Sequence, residues 1–114
     1  MARTPKRLNG PALVTNASVT KYTVPASTKT VLRHIHVQNP SGSAVTLTVS
    51  IGADAAGTRI FDAYSIPAAA AGVSASVFDH WCYYVLEATE IVAAQAGTTN
   101  ILTLTLNGDE ITLG

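Results

Sequence analysis

Between Ala44 and Ile51 the chain places Val45, Leu47, Val49 and Ile51 at every second position, with Thr46, Thr48 and Ser50 between them. A period of two belongs to a strand with one apolar and one polar face, because a helix would scatter the same residues around its axis. Val, Ile and Thr supply 33 of the 114 residues, and these branched side chains suit a pleated surface while being indifferent helix formers. The chain is therefore expected to be all-β. Thr30 to Gln38 carries Val31, Ile35 and Val37 on one face and Leu32, His34 and His36 on the other. The turn chemistry of Asn39-Pro40-Ser41-Gly42-Ser43 then predicts a hairpin joining these two strands.

Near the end, Leu102, Leu104 and Leu106 interleave with Thr103 and Thr105 ahead of Asn107-Gly108-Asp109, then Ile111 and Leu113. Asn-Gly supplies the positive φ angles of a tight primed turn, so a second hairpin is expected there. Further strands are read at Ser18 to Val24, Arg59 to Ile66, Val77 to Leu86 and Ile91 to Ala96. About eight short strands at this spacing predict one antiparallel β-sandwich of jelly-roll type over residues 18–114. Pro67 to Ser76 is read as a loop, since Pro67 and Gly72 bracket its alanines and no apolar stripe of helical period develops. The loop tips Ser41 to Ser43 and Ala53 to Gly57 are expected at the surface.

Residues 1–17, with Pro5, Gly10 and Pro11, lack periodicity and read as an extended basic N-terminal arm. Arg3, Lys6, Arg7, Lys21, Lys29 and Arg33 all fall within the first 33 residues, which hold no acid, whereas the remaining residues hold all seven acids and only Arg59. Such a split, about +6 against −6, suggests an electrostatic partner for the basic end. On this reading Arg3, Lys6 and Arg7 meet a partner's carboxylates while Leu8, Leu13 and Val14 dock on it. A nucleic-acid partner is not expected, because no aromatic residue interleaves with the basic ones and the rest of the chain is acidic.

An apolar fraction of 47 % is ample for a packed core, yet no apolar run approaches the roughly 18–20 residues that span a bilayer. After the basic N-terminal residues only Pro11 to Val14 is apolar, too short for a secretory signal, so the chain is expected to stay cytosolic until assembly. A single cysteine, Cys82, fits folding in a reducing compartment, and the Asn16-Ala17-Ser18 acceptor pattern is then fortuitous.

From Val77 to Leu86 the chain carries Phe78, Trp81, Tyr83 and Tyr84, with no polar alternation from Trp81 onward. A strand so apolar is expected to be covered on both faces, the second cover being a loop, the arm or, as favoured, another subunit, with Trp81, Tyr83 and Tyr84 at the oligomer interface. His34 and His36 lie two apart on one strand face, a spacing that suits metal ligation, but no third ligand is visible in the sequence unless the fold brings His80, Asp62 or Asp79 to them. No metal or cofactor is therefore expected. Asp79-His80 lacks a nucleophile elbow and Cys82 sits in an apolar run, so no catalytic residues are expected either.

Tyr22-Thr23-Val24-Pro25-Ala26, the Lys29-Thr30 turn, the strand ending at Asn39, Ser41-Gly42-Ser43 and the Thr-rich strand to Val49 together resemble a group of small tailed-bacteriophage virion proteins. Leu86-Glu87-Ala88-Thr89-Glu90-Ile91 is similar to their "L-x-x-G-D-x-I" stretch, with Thr89 where glycine is common and Glu90 where aspartate is. Asn107-Gly108-Asp109-Glu110 resembles their closing "G-x-E". The resemblance covers about residues 18–113 and implies a non-enzymatic β-sandwich subunit of the particle. Combined with the arm, it leads to the expectation of a capsid decoration (cement) protein, a homo-oligomer, with a trimer favoured, that binds the major capsid protein in the virion. A tail, neck or fibre subunit and a host-surface carbohydrate-binding module are the alternatives.

Overall fold

The computed structural model describes residues 2–113, so Met1 and Gly114, the outer limits of the expected arm and domain, lie outside the described residues. The described chain is all-β, with eight strands: β1 (Ala2–Leu13), β2 (Val19–Thr23), β3 (Thr28–Asn39), β4 (Val45–Ile51), β5 (Arg59–Ile66), β6 (Ser76–Leu86), β7 (Ile91–Ala96) and β8 (Thr103–Thr112). They form two four-stranded antiparallel sheets, ordered β1-β8-β3-β6 and β2-β7-β4-β5.

This order has a simple origin. β4 and β5 form a hairpin across the exposed Ala53 to Gly57 tip, and outward from it β3 lies beside β6, β2 beside β7 and β1 beside β8. The chain is thus one long hairpin rolled up on itself, which is a jelly roll. Every connection except β4–β5 crosses from one sheet to the other. Between the sheets lie Leu32, Ile35, Val37, Leu47, Val49, Ile66, Leu86, Val92, Leu102, Leu104 and Leu106, all shut off from solvent. Each such side chain contributes about 1.5–3 kcal/mol of burial.

Both hairpins expected from the sequence are absent, for separate reasons. β3 and β4 sit in different sheets, and the segment between them turns a corner. Buried Asn39 organises it: its amide donates to the carbonyls of Ser43, Ile66 and Pro67, and its oxygen accepts from the Ser41 amide. At the other site β8 runs straight through Asn107-Gly108. Gly108 is needed there for space and not for a turn, because a Cβ on it would lie 2.1 Å from the Val31 carbonyl oxygen and 3.1 Å from Leu8 Cδ1.

The expected arm is also corrected. Ala2–Leu13 is the edge strand of the first sheet, paired along β8 from Ala2↔Thr112 to Leu13↔Thr103. Leu8 caps the slot left by Gly108, and Val14, just past the strand, is fully buried and donates its amide to the Leu102 carbonyl. The strand escapes sequence periodicity because two register shifts, at Arg7/Asn9 and Asn9/Ala12, break its alternation.

Candidate functional site

On β6 alternate residues face opposite ways. Phe78, His80, Cys82, Tyr84 and Leu86 point between the sheets, whereas Val77, Asp79, Trp81, Tyr83 and Val85 point outward. Neither a loop nor β1 covers the outward face within the chain, which leaves another subunit as the expected cover. Trp81 is 74 % and Tyr83 64 % exposed, with Val77 and Val85 each half exposed, so a strip of apolar side chains interrupted by Asp79 lines the outer face of an edge strand. Tyr84 does not belong to it. Its ring packs inward in an aromatic cluster with His80, and Phe61 and Phe78 join that cluster where β5 and β6 close one side of the sandwich.

β3 supplies the outward neighbours of the strip. A register shift between Leu32 and His34 reverses the strand's parity at Arg33, so Leu32 joins Ile35 and Val37 inside, and Val31 shares the outer face with His34 and His36. The His34 ring stacks on Trp81 at 3.9 Å between centroids and 11° between planes. The Arg33 guanidinium lies 5.9 Å from the centre of the Tyr83 ring. An open groove of about 530 Å³ runs from Trp81 and His34 past Arg33 and Asn107 to Pro5 and Arg7.

Beside the groove, His34 Nε2 and His36 Nδ1 both reach Asp79 Oδ1, at 2.8 and 2.6 Å. These hydrogen bonds from the two imidazoles hold the Asp79 carboxyl below the usual carboxylate range. Of the three groups that the fold could bring to the histidines, it brings Asp79, through the cross-strand pairing His36↔Asp79. The other candidates lie elsewhere: Asp62 pairs with Arg59, and His80 faces inward with its Nε2 buried and unpartnered among the described residues.

Of the basic residues expected to reach a partner, Arg3 and Lys6 meet acids of their own chain, as do Lys29 and Arg33. Arg3 and Arg33 share Asp109 at 2.6 and 3.2 Å, Lys6 reaches Glu110 at 3.2 Å, and Lys29 reaches Glu87 at 3.4 Å. The rolled hairpin explains this, because folding the chain about β4–β5 lays its basic first half against its acidic second half. Four of the six cations of the first half are thus paired within the chain. Of the remaining residues placed on the arm, Arg7 is exposed opposite Asn107, Leu13 is half exposed, and Leu8 and Val14 belong to the core.

Two other polar groups are settled by burial. Cys82 points inward with its thiol toward the Leu32 carbonyl, and desolvation pushes it up to about 11, which leaves it a thiol and not a nucleophile at neutral pH. Tyr22 is pushed up to about 12 by burial and by donating to Glu110 Oε2 at 2.5 Å. Comparison with known protein families, curated proteins and solved structures finds no match.

Proposed function

We propose that the protein is a non-enzymatic structural subunit of a tailed-phage particle, a capsid decoration protein that associates through the outer face of β6 and not through an N-terminal arm. The observation that carries this reading is the Val77-Trp81-Tyr83-Val85 strip, exposed along an unpaired strand edge of an otherwise finished jelly roll. Exposed apolar strips on small soluble domains mark association surfaces, and Trp, Tyr and Arg are the residues that concentrate binding energy there. Arg33, held over Tyr83, gives this strip a charged flank. The likeness of residues 18–113 to virion proteins supports the particle as the setting, and the jelly roll is an architecture that capsid proteins use. Repeated attachment of an oligomer, for which a trimer is favoured, turns weak contacts on the major capsid protein into a tight one.

Labelling the protein in intact particles and counting copies tests this. Hundreds of copies on the head support a decoration protein, and a few to tens at one vertex or along the tail replace it with a neck, tail or fibre subunit. One observation favours a second reading. Trp81 is open to solvent, as a sugar-stacking platform requires, so saturable quenching of its emission by oligosaccharides, with no affinity for shells, identifies a carbohydrate-binding module.

A further inference from the structure

Independently of that reading, we propose that His34, His36 and Asp79 form a binding site for one divalent transition ion of the zinc class. Three ligand atoms, His34 Nε2, His36 Nδ1 and an Asp79 carboxylate oxygen, lie within 4.8 Å of one another on the outer face of the sheet. Two imidazoles and a carboxylate are a donor set that suits zinc with a solvent position left open, as in sites with three protein ligands.

Without an ion, Asp79 Oδ1 bridges the two rings at 2.8 and 2.6 Å. Bonds of 2.0–2.1 Å to a tetrahedral ion set neighbouring ligand atoms about 3.3 Å apart, so the Asp79 oxygen must draw back from the two imidazole nitrogens by roughly half an ångström while all three donors turn toward the ion. Asp79 is 40 % exposed and His36 27 %, which leaves both side chains room to move and the ion a direct path in.

The less mobile member is His34. Trp81 stacks on its ring, and behind it the Asn107 amide lies 3.1 Å from Nδ1. With the amide turned so that its oxygen accepts from Nδ1–H, the lone pair of Nε2 is directed at the ion, which is the orienting role that second partners of metal-bound histidines play. A bound ion clamps β6 to β3 next to the register shift at Leu32/His34.

Titration of the full chain with Zn2+ alone at pH 7.5, followed by calorimetry, is expected to show one ion per chain with micromolar affinity. His34→Gln, His36→Gln and Asp79→Asn are each expected to weaken it by at least about tenfold. Trp81 is the chain's only tryptophan, so Cu2+ at the same site is expected to quench its emission saturably, with the quenching lost in the same variants. Unchanged metal-free thermal unfolding of the variants separates ligand loss from misfolding. No saturable Zn2+ binding up to about 1 mM, or binding by the folded variants equal to that of the parent, overturns the site.

Discussion

β1 and β6 are the two edges of one sheet, and they are protected in opposite degrees. β1 carries Pro5 and Pro11, two register shifts, and Arg3, Lys6 and Arg7, the devices by which natural sheets keep an edge from pairing with another chain. Along β6 there is no proline, lysine or arginine, and its outward side chains are Val77, Asp79, Trp81, Tyr83 and Val85. A chain that guards one edge so thoroughly has the means to guard the other. The bare edge is therefore where a partner is expected, and the basic strand is a finished part of the fold.

The strongest way to break that contrast is to remove β1. If it is structural, deleting residues 2–13 uncovers β8, strips Leu8 from Gly108 and leaves Asp109 without Arg3. Loss of one buried leucine alone costs about 2–5 kcal/mol, a large share of the stability of a domain this size. The truncated chain is expected to lose its cooperative thermal transition by circular dichroism. A truncated protein that melts within a few degrees of the parent returns β1 to the status of a detachable arm.

Next in size is Gly108→Ala, which forces a methyl group against the Val31 carbonyl oxygen at 2.1 Å. Backbone cannot yield as a flexible side chain does, so a loss of about 3 kcal/mol in urea unfolding is expected. If Asn107-Gly108 were a primed turn at the tip of a hairpin, the same substitution would act through φ and not through this contact. Gly108→Ala together with Leu8→Ala separates the two, since only crowding at the Leu8 slot would make their effects non-additive.

These two sites also show where local pattern stops being informative. Apolar runs ended by Pro67 and Gly97 located β5 at Arg59–Ile66 and β7 at Ile91–Ala96, because a run and its terminator are local properties of the chain. Pairing partners are not local. Asn39-Pro40-Ser41-Gly42-Ser43 reads as a tight turn whether it returns the chain to the same sheet or carries it to the other, and Asn-Gly reads as a turn whether or not Val31 needs the space. In the candidate site the shared face of His34 and His36 was legible from their spacing. Asp79 was not, since its place depends on a register between strands more than forty residues apart.

Electrostatics sharpen the same contrast. Asp109 is held below the usual carboxylate range chiefly by hydrogen bonds from Arg3, and Glu110 chiefly by the Tyr22 hydroxyl with help from Lys6. A carboxyl whose folded pKa is depressed stabilises above its unfolded value, about 3.9 for Asp and 4.3 for Glu, and that stability drains away as pH falls through the folded value. Stability is therefore expected to decline below about pH 4, and less steeply in Arg3→Gln, if β1 is bound through these pairs. Tyr22 works at the other end: its raised pKa favours the neutral folded form, so stability is expected to fall as pH rises from about 10 towards about 12. Tyr22→Phe removes that alkaline slope, and an unchanged slope would assign it to another group.

The finest test sits on β6, between neighbours of identical chemistry. Tyr84 faces inward beside His80, so Tyr84→Ala is expected to cost about 2 kcal/mol, below the 3–5 of a fully buried aromatic because its side chain is not completely enclosed. Tyr83 is 64 % exposed, so Tyr83→Ala is expected to stay within about 0.5 kcal/mol of the parent in monomer stability. Association should rank them the other way, with sedimentation or shell binding weakened by Tyr83→Ala through loss of the ring beneath Arg33. Equal effects of the two substitutions on stability would mean that β6 is covered on both faces in the isolated chain, and the distinction between a closed edge and an open one would fail.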